Sequence, residues 1–482
     1  MAAANQSAGA DQPMRAVLDA ARTDFTAAMP EPLSVRRDRL TRAIRLLLDN
    51  RQALSDAMSA DFGHRSRHQS LMTDIAGSIG ALKHARAHLD KWARPERRSP
   101  RFPLGLLGGR AEVRFVPKGV VGIVAPWNFP VSMVFQPLAG VFAAGNRAMI
   151  KPSEFTERTS ELMAELAAKH FDPTELAFAI GGPEVGKAFS ELPFDHMIFT
   201  GATGIGRHIM RAAAENLVPV TLELGGKSPT ILGRSADVAR ATQRIATGKM
   251  MNAGQICLAP DYLLVPKDRE EAVIEGVGKA VAEQYPSLLA NDDYSSIVNG
   301  RNRDRLMSYL DDARDKGAEL IEVNPAKEDF GASNGNKLPL TILRGVSDDM
   351  KVMQEEIFGP ILPVMTYDRI EQAVDYVNAH DRPLGLYYFG EDRDEAEMIL
   401  SRTVSGGVTV NDVLFHNAME DLPFGGIGPS GMGHYHGVDG FRAVSHARAV
   451  YRQPKLDVAK LAGFKPPYGK ATESSLRREL KD

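Results

Sequence analysis

MIFTGATGIGRHIMRAAAENL, residues 197–217, predicts a strand, a glycine-containing turn and a helix in direct succession. This order is the repeating unit of a largely parallel sheet. A glycine turn between strand and helix lets main-chain N–H groups and the helix N-terminus face phosphate oxygens. The glycines, however, follow the spacing G-x-x-G-x-G instead of the dinucleotide-binding spacing G-x-G-x-x-G. By itself the segment is therefore equally consistent with a plain tight turn.

Strand and helix patterns alternate on both sides of this segment. On its N-terminal side, the spacing of apolar residues predicts helices at 35–58, 70–92, 156–170 and 184–192, and strands at 111–117, 120–125 and 147–151. After Glu223 the alternation restarts, with strands at 230–232 and 262–265, a helix at 237–251, and further units to residue 411. The sequence therefore predicts an α/β protein with a nucleotide-binding first half and a second α/β domain.

Composition and charge narrow the class of protein. The chain has 482 residues, 43% hydrophobic and 25% charged, which indicates a soluble globular protein of two or three domains. Its net charge of -3 argues against a broad nucleic-acid surface, so we expect small-molecule partners. No apolar run approaches the ~18 residues of a membrane span, and the N-terminus lacks a basic region followed by an apolar core. These features predict a cytoplasmic protein without a membrane span.

Cys257 is the only cysteine of the chain and lies in the run GQICLAP. A lone cysteine cannot form an internal disulfide or a metal site that needs several thiolates, which leaves packing or chemistry. Judged by residue type alone, a small buried hydrophobe is the commoner case. The small and turn-forming residues 252–255 before it and Pro260 after it favour an exposed functional loop.

Two further motifs carry polar side chains that suit an acyl-transfer site. APWNFP, residues 125–130, holds Asn128 between two prolines, and a fixed side-chain amide can donate a hydrogen bond to a developing oxyanion. TLELGGKSP carries Glu223, 34 residues before Cys257, and a carboxylate there could act as a base for the cysteine. A turn asparagine beside a packed Trp127 is the alternative interpretation of the first motif.

Three more motifs suit a nucleotide or form a loop. KPSE, residues 151–154, offers Lys151 and Glu154 at a strand end, where they could hold ribose hydroxyls or be ordinary surface charges. EEIFGP, residues 355–360, could clamp a ribose and brace a flat ring, or could be a solvated acid beside a core phenylalanine. PFGGIGPSGMG is glycine-rich enough to be a loop, and the histidines that follow it lack the cysteine or carboxylate partners of a metal site.

Taken together and in this order, PWNFP, KPSE, FTGATGIGR, ELGGKSP, GQIC, EEIFGP and PFGGIGPSGMG resemble the aldehyde dehydrogenase superfamily, from about residue 113 to residue 450. The HYHG after the last motif and the C-terminal extension are similar to the class 3 group, and within it to the coniferyl aldehyde branch. The resemblance implies a Rossmann-type cofactor domain, an α/β catalytic domain and a small β oligomerisation arm. The implied bounds are 14–110 and 126–224 for the NAD(P)-binding domain, 225–430 for the catalytic domain, and 111–125 and 431–482 for the arm and tail.

The resemblance also implies the catalytic roles. Cys257 is expected to be the nucleophile, Glu223 the general base, and Asn128 with the Cys257 main-chain N–H the oxyanion hole. The expected reaction is the oxidation of a hydrophobic, aromatic or phenylpropanoid aldehyde to its acid, through a thiohemiacetal and a thioester on Cys257. Medium- or long-chain aliphatic aldehydes, transfer of the acyl group to coenzyme A, and a non-catalytic structural role are the alternatives. Glu223 counts against coenzyme A transfer, and Cys257 against a structural role.

The cofactor residues implied by the resemblance are Val124, Trp127, Lys151, Glu154, Gly201, Ala202, Gly206, Leu224, Gly225, Glu356 and Phe358. Ala202 departs from the many relatives that carry a serine there, which removes one hydrogen bond to the pyrophosphate. Glu154 opposes a 2′-phosphate, which favours NAD over NADP, although class 3 relatives often accept both. We expect no metal.

Two expectations concern surfaces that the linear sequence locates only coarsely. The arm, residues 111–125 with 442–452, is expected to pair subunits edge to edge into a homodimer, with a tetramer as the alternative. Candidate pocket walls, each equally consistent with a core position, are Phe135, Ile256, Leu258, Phe415 and His416.

Overall fold

The computed structural model describes residues 7–333 and 335–481. Its strands are β1 (Glu96–Arg98), β2 (Arg110–Pro117), β3 (Val120–Val124), β4 (Arg147–Lys151), β5 (Leu176–Phe178), β6 (His196–Thr200), β7 (Val220–Glu223), β8 (Pro229–Leu232), β9 (Tyr262–Pro266), β10 (Glu319–Val323), β11 (Leu340–Arg344), β12 (Ile361–Tyr367), β13 (Gly385–Phe389), β14 (Gly407–Val410), β15 (Gly431–Met432) and β16 (Ser445–Arg452).

The α-helices are α1 (Ser7–Ala28), α2 (Leu33–Asp49), α3 (Arg51–Asp61), α4 (Arg67–Gln69), α5 (Gly77–Trp92), α6 (Ser132–Ala144), α7 (Glu157–His170), α8 (Pro183–Ser190), α9 (Thr203–Glu215), α10 (Val238–Met250), α11 (Glu270–Gln284), α12 (Gly300–Asp315), α13 (Lys351–Gln354), α14 (Ile370–Ala379), α15 (Arg393–Arg402), α16 (Gly437–Ala443), α17 (Val458–Leu461) and α18 (Lys470–Glu479).

The first α/β unit is a six-stranded sheet in the order β15-β7-β6-β3-β4-β5. Its strands are parallel except for the short β15, which runs antiparallel to β7. The continuous apolar run of β3 is buried because helices cover both faces of the sheet. The strand, turn and helix predicted for residues 197–217 are confirmed as β6, the turn at Gly201 and Ala202, and α9.

The second α/β unit is a seven-stranded sheet in the order β10-β11-β12-β9-β8-β13-β14. Only β10 runs antiparallel to its neighbour within this sheet. Its buried strands and covering helices form the largest apolar cluster of the described residues. This unit confirms the second α/β region that the sequence predicts after Glu223.

A three-stranded antiparallel sheet, β1-β2-β16, forms the predicted β arm. β2 and β16 pair over their full lengths, from Pro117 opposite Ser445 to Arg110 opposite Arg452. The assignment of residues 120–125 to this arm is wrong, because β3 pairs with β4 and β6 inside the six-stranded sheet. Residues 431–432 likewise leave the arm and tail, since β15 pairs with β7.

Two predicted helices are divided in the structure. The helix predicted at 35–58 is α2 followed by α3, with Asn50 at the junction in a non-helical conformation and its side chain bonded to the Leu46 carbonyl at 2.9 Å. Within the region predicted at 70–92, residues Ser70–Ala76 form a wider π-helical stretch before α5 begins. Such stretches are frequent near functional sites, and this one carries the buried Asp74.

Across residues 7–333 and 335–481, we find no helix with the length and apolar character needed to span a membrane.

Candidate active site

The parallel strands of the six-stranded sheet bring several predicted site residues to one edge. Val124 lies in register with Lys151 on one side and with Phe199 on the other, and Thr200 lies in register with Glu223. All of these residues stand at the carboxyl ends of their strands, which is where open α/β sheets bind ligands. The fold therefore gathers segments that are far apart in the sequence.

A cavity of about 300 Å³ opens at this edge, between the two α/β units. Ten of the predicted site residues line it: Trp127, Asn128, Gly201, Ala202, Glu223, Leu224, Gly225, Cys257, Glu356 and Phe358. The remaining four do not line it: Val124, Lys151, Glu154 and Gly206. The three predicted catalytic side chains thus share one cavity.

Cys257 is presented by a loop with unusual backbone geometry. Helix α10 ends at Met250, and Asn252, Ala253 and Gly254 then adopt φ values of 49°, 52° and 74°. A Cβ atom at Gly254 would lie 2.4 Å from the main-chain oxygen of Gly359, so only glycine fits. Left-handed conformations at non-glycine residues are costly and tend to cluster at functional sites. Here they turn the chain sharply before Cys257.

The Cys257 thiol is held in its neutral form. Burial raises the pKa of the thiol, and the carboxyl groups of Glu356 and Glu223 raise it further. The side chain remains half-buried, in the wall of the cavity. Because the thiolate is the reactive form, the thiol needs a base when it attacks a substrate.

Glu223 is a buried carboxyl group with no hydrogen-bond partner among the described residues. It ends β7, is 2% exposed, and both of its carboxyl oxygens lack partners. Burial raises the pKa of Glu223 well above its ordinary value. Buried polar groups in proteins are nearly always hydrogen-bonded, so an unpaired carboxyl in a cavity wall marks a candidate functional group.

Asn128 is fixed by hydrogen bonds from both sides. Its amide nitrogen donates to the Gln255 carbonyl at 3.1 Å, and its own main-chain oxygen accepts from Asn252 at 3.0 Å. Gln255 in turn donates to the carbonyls of Asn252 and Ser296, at 2.8 and 3.0 Å. A side-chain amide has two N–H groups, so Asn128 keeps a second donor for the cavity. The network ties the asparagine to the cysteine loop.

A buried ion pair supports the Asn128 segment from behind. Arg65 and Asp74 both have fully buried side chains and are joined at 2.7 Å. Arg65 also donates to the main-chain oxygen of Asn128 at 2.8 Å, and Asp74 accepts from the N–H groups of Val131 and Ser132, each at 3.1 Å. Nothing in the sequence marks this pair, because two charged residues nine positions apart form no motif.

The opposite wall of the cavity suits a nucleotide. One carboxyl oxygen of Glu356 is buried without a partner, and a Cβ atom at Gly225 would lie 2.0 Å from the other. Burial, reinforced by Asp261, raises the pKa of Glu356 to about 8. Phe358 has a φ of 50°, and its ring lies 5.3 Å from that of Trp127. An orphaned carboxyl beside two aromatic rings fits a ribose and a flat base.

The glycine turn leaves the N-terminus of α9 open. Ala202 occupies the N-cap position, and no side chain caps the helix. A Cβ atom at Gly204 would meet nothing within 4 Å, whereas one at Gly206 would lie 2.7 Å from Leu224. The N–H groups of the first turn can therefore bind an anion, and Gly206 serves close helix packing.

Lys151 and Glu154 lie along the same edge, outside the cavity. The Lys151 ammonium is 3.6 Å from the Glu154 carboxylate and donates to the Pro152 carbonyl at 2.7 Å. Lys151 is buried, whereas the Glu154 side chain is 37% exposed. The pair is therefore a fixed lysine with a carboxylate at the surface, as a ribose-binding pair requires.

Sequence reasoning missed several residues of the cavity. Tyr435 is buried in its wall, in the HYHG stretch that the sequence links only to the class 3 resemblance. Arg305 donates to the main-chain oxygens of Glu356 and Ile357, at 3.3 and 2.9 Å, and so holds the EEIFGP segment. Arg305 lies on the highly charged helix α12, where nothing in the sequence distinguishes it from its neighbours.

A second cavity, of about 560 Å³, continues from the first. The residues common to both are Phe129, Met133, Ile256, Leu258 and Asn417. Of the proposed pocket walls, Ile256, Leu258 and Phe415 line this tunnel. Phe135 is instead a core residue, and His416 is buried and bonded to Thr409 at 2.8 Å. The tunnel gives Cys257 a mostly apolar approach route.

No group of three or more potential metal ligands occurs within the described parts of the chain.

Comparisons with known proteins agree with this geometry. The family model described as "Aldehyde dehydrogenase family" matches residues 2–450. A Caulobacter vibrioides protein named "Probable coniferyl aldehyde dehydrogenase" is 57% identical and covers 92% of this chain and 91% of its own. A Pseudomonas protein named "Coniferyl aldehyde dehydrogenase" is 54% identical, with coverage of 97% and 96%.

A solved structure shares the architecture as well. The crystal structure of an indole-3-acetaldehyde dehydrogenase complexed with NAD+ has a TM-score of 0.83 and 27% identity, and covers 93% of this chain and 89% of its own. Its fold and the family match account for the two α/β units and for the cavity at their junction. The chain belongs to the aldehyde dehydrogenase family.

Proposed function

We propose that this enzyme oxidises a hydroxycinnamaldehyde-type aromatic aldehyde, with coniferyl aldehyde as the leading substrate, to the carboxylic acid, and that NAD is its cofactor. The observation that carries the proposal is the convergence of Cys257, Glu223 and Asn128 on one cavity, reached by an apolar tunnel. The two relatives above are named for coniferyl aldehyde, and the solved neighbour binds NAD+.

The first step is attack of the Cys257 sulfur on the aldehyde carbon. Since burial keeps the thiol neutral, a carboxyl group has to accept its proton, and we assign this role to Glu223. The raised pKa of Glu223 makes it a stronger base once it is ionised. The product of this step is a thiohemiacetal whose oxygen carries negative charge.

Asn128 stabilises that charge together with the main-chain N–H of Cys257. One N–H of the Asn128 amide is held by Gln255, so the other can face the oxyanion without reorganisation. Donors fixed in advance at a developing charge are commonly worth about 3–4 kcal/mol of barrier. The hydrogen bonds to the main-chain oxygen of Asn128 keep the residue in place.

The residues of the nucleotide side fit a nicotinamide dinucleotide. A bound nicotinamide supplies the hydride acceptor for the oxidation. The unpaired oxygen of Glu356 would accept hydrogen bonds from ribose hydroxyl groups, and the open N-terminus of α9 would bind the pyrophosphate. Lys151 and Glu154 would hold the second ribose, where the Glu154 carboxylate repels a 2′-phosphate and favours NAD over NADP.

Hydrolysis of the thioester on Cys257 then releases the acid. Glu223 first releases the proton of the thiol to solvent, then takes a proton from the attacking water and passes it to the departing Cys257 sulfur. Neither of its oxygens has a partner among the described residues, so both are available for this. The burial of the site keeps other nucleophiles out. The free thiol is regenerated for the next turnover.

We also propose a homodimer formed through the β arm. Strand β16 is an eight-residue edge of the arm sheet, and most of its side chains are exposed. A long unpaired edge invites pairing with a second copy. A mass near twice that of the chain, measured by light scattering after gel filtration, would support this, and a monomer would contradict it. A nucleophilic thiol as the only cysteine suits a reducing compartment, which supports a cytoplasmic location.

The test of the reaction is the initial rate of NAD reduction by the purified protein, with coniferyl aldehyde and with hexanal. We expect a higher kcat/KM for coniferyl aldehyde and no turnover in Cys257→Ala. Dominance of hexanal would move the assignment to aliphatic aldehydes. Unchanged aldehyde oxidation in Cys257→Ala would overturn the mechanism, and the absence of other cysteines makes this variant unambiguous.

A further inference from the structure

We propose that Glu420 and Gln136 recognise the phenolic hydroxyl of a 4-hydroxyaryl aldehyde in the substrate tunnel, and so select phenolic over non-phenolic substrates. The proposal rests on the aldehyde oxidation at Cys257 proposed above and adds to it the residues that determine the substrate class. Both side chains line the tunnel of about 560 Å³, and neither lines the cavity that contains Cys257.

The position of the two residues follows from how the cavities join. The five shared residues form a collar of four apolar side chains and Asn417 between the Cys257 cavity and the tunnel. An aldehyde whose carbonyl carbon lies at Cys257 must pass its hydrophobic body through this collar. A polar group at the opposite end of such a substrate then falls in the part of the tunnel that Gln136 and Glu420 border.

Glu420 is a half-buried carboxyl group that forms none of the hydrogen bonds found among the described residues. Burial, with a smaller contribution from Asp421, raises the pKa of Glu420 to about 7. Asp421 itself is exposed, and its carboxyl group lies 3.2 Å from His84. A half-buried carboxyl that borders a cavity can accept a hydrogen bond, and a phenolic O–H supplies the donor.

Gln136 supplies the complementary donor. Its amide oxygen lies 3.3 Å from the Nε2 atom of His436. Burial lowers the pKa of His436 to about 4, so the ring is neutral and donates from Nε2 to this oxygen. The amide N–H₂ group of Gln136 is thereby left to donate to a phenolic oxygen. The ring of His436 is stacked on Phe424 at 5.1 Å, which fixes its orientation.

This arrangement gives the HYHG stretch a physical role. Of its two histidines, His436 is buried and orients the tunnel amide, although it touches neither the nucleophile cavity nor the cofactor residues. His436 is therefore a positioning residue for substrate selection.

Three other polar side chains of the tunnel have partners. Arg244 pairs with Asp412 at 3.5 Å and also donates to the Asn411 carbonyl. Thr73 and Thr247 donate their hydroxyl groups to main-chain carbonyls within their own helical turns, at 2.7 and 2.9 Å. Like the side chains of Ser132 and Asn417, the Glu420 carboxyl and the Gln136 nitrogen form none of the hydrogen bonds found among the described residues. They leave an acceptor and a donor on the tunnel wall.

The wall facing them also leaves room for ring substituents. A Cβ atom at Gly80 would meet nothing within 4 Å, and one at Gly77 would lie 3.3 Å from the Gln136 nitrogen. Because two glycines of α5 line this part of the tunnel, a methoxy group beside the phenol can be accommodated without displacing a side chain.

The test compares coniferyl aldehyde with its methyl ether, in which the phenolic O–H is replaced by O–CH₃. The two have the same aldehyde and the same conjugation, so they differ only at the proposed contact. We expect the ratio of their kcat/KM values, phenol over ether, to fall about tenfold or more in Glu420→Ala, mainly through KM. Gln136→Leu should lower the same ratio, and Asp421→Ala, one residue away and exposed, should keep the wild-type ratio.

An equal loss for both substrates in Glu420→Ala would overturn the proposal, since that pattern belongs to a structural role. A wild-type ratio near one would overturn it as well. To separate this from the reaction itself, calorimetry would measure the binding of coniferyl aldehyde and of its ether to Cys257→Ala and to Cys257→Ala/Glu420→Ala. Weaker binding of the phenol alone in the double variant supports the proposal even without turnover, and equal binding overturns it.

Discussion

Two carboxyl groups, those of Asp74 and Glu223, are both buried but differ in their surroundings. Asp74 accepts hydrogen bonds from Arg65 and from the N–H groups of Val131 and Ser132. Glu223 has no hydrogen-bond partner at either oxygen among the described residues. Burial raises the pKa of both, but at Asp74 the charge of Arg65 and the main-chain N–H groups oppose the shift.

The difference separates a supporting group from a reacting group. The Asp74 carboxylate already accepts several hydrogen bonds, so it holds the Asn128 segment in place and is not free to bind a substrate. A carboxyl that faces a cavity without partners weakens the fold locally, yet it is available to water and to the thiol. The two sites therefore predict opposite patterns of loss when each carboxyl is removed.

The largest effect is expected for Glu223→Gln. The amide keeps the size of the side chain but cannot accept a proton, so kcat should fall by about 10²–10⁴-fold. The thermal midpoint should be unchanged or higher, because no native hydrogen bond is lost and a buried ionisable group is removed. Steady-state rates and a thermal unfolding curve on the same sample check both. A marked loss of thermal stability would show that Glu223 has a structural partner.

The reverse pattern is expected for Asp74→Ala. Removing one member of a buried ion pair leaves Arg65 uncompensated and should cost about 3–5 kcal/mol of unfolding free energy. The rate should fall as well, because the Asn128 segment loses its anchor. Arg65→Met/Asp74→Leu is the matched control, since it removes both charges and should recover much of the thermal midpoint. Equal midpoints for wild type and Asp74→Ala would contradict the supporting role.

A structural feature can be predicted from the sequence when residues close together in the chain specify it. Strand, turn and helix at residues 197–217 are local patterns, and their prediction is confirmed by β6 and α9. Cys257, Asn128 and Glu223 lie in short motifs, so they could be named in advance. The three residues line one cavity because of the tertiary structure, and the sequence predicts this only through the family resemblance.

The missed features are those that arise between segments. The resemblance places residues 120–125 in the arm together with residues 111–117, and only the pairing of β3 with β4 and β6 assigns this strand to the six-stranded sheet. Arg65 and Asp74 meet behind Asn128 through a π-helical stretch that periodicity does not predict. Tyr435 and Arg305 reach the cavity from a loop and a helix whose patterns are ordinary.

A third effect concerns the thiol beside Glu223. Because the pKa of Cys257 is raised, alkylation by iodoacetamide should be slow at pH 7 and should accelerate about tenfold per pH unit up to pH 9, as the thiolate fraction grows. The single cysteine allows the reaction to be followed by mass of the intact protein. In Glu223→Gln the burial of the thiol remains, so alkylation should stay slow. Rapid labelling that is independent of pH between 6 and 8 would contradict a neutral thiol.

The smallest of the four effects is expected on the nucleotide side, where Glu356 also carries an orphaned carboxyl oxygen. In Gly225→Ala the new Cβ would lie 2.0 Å from the other Glu356 oxygen, so the carboxyl must move. Overpacking of this kind costs about 1–3 kcal/mol of folding stability. The displaced Glu356 carboxyl should also lose its contact with the cofactor, and a loss of about 1.4 kcal/mol in binding raises the KM for NAD on the order of tenfold. Gly278→Ala on helix α11, whose nearest atom would be 3.9 Å away, is the control and should leave that KM unchanged. A rise in the KM for NAD in Gly225→Ala but not in Gly278→Ala would support a contact between the Glu356 carboxyl and the cofactor. An unchanged KM would remove Glu356 from the cofactor site.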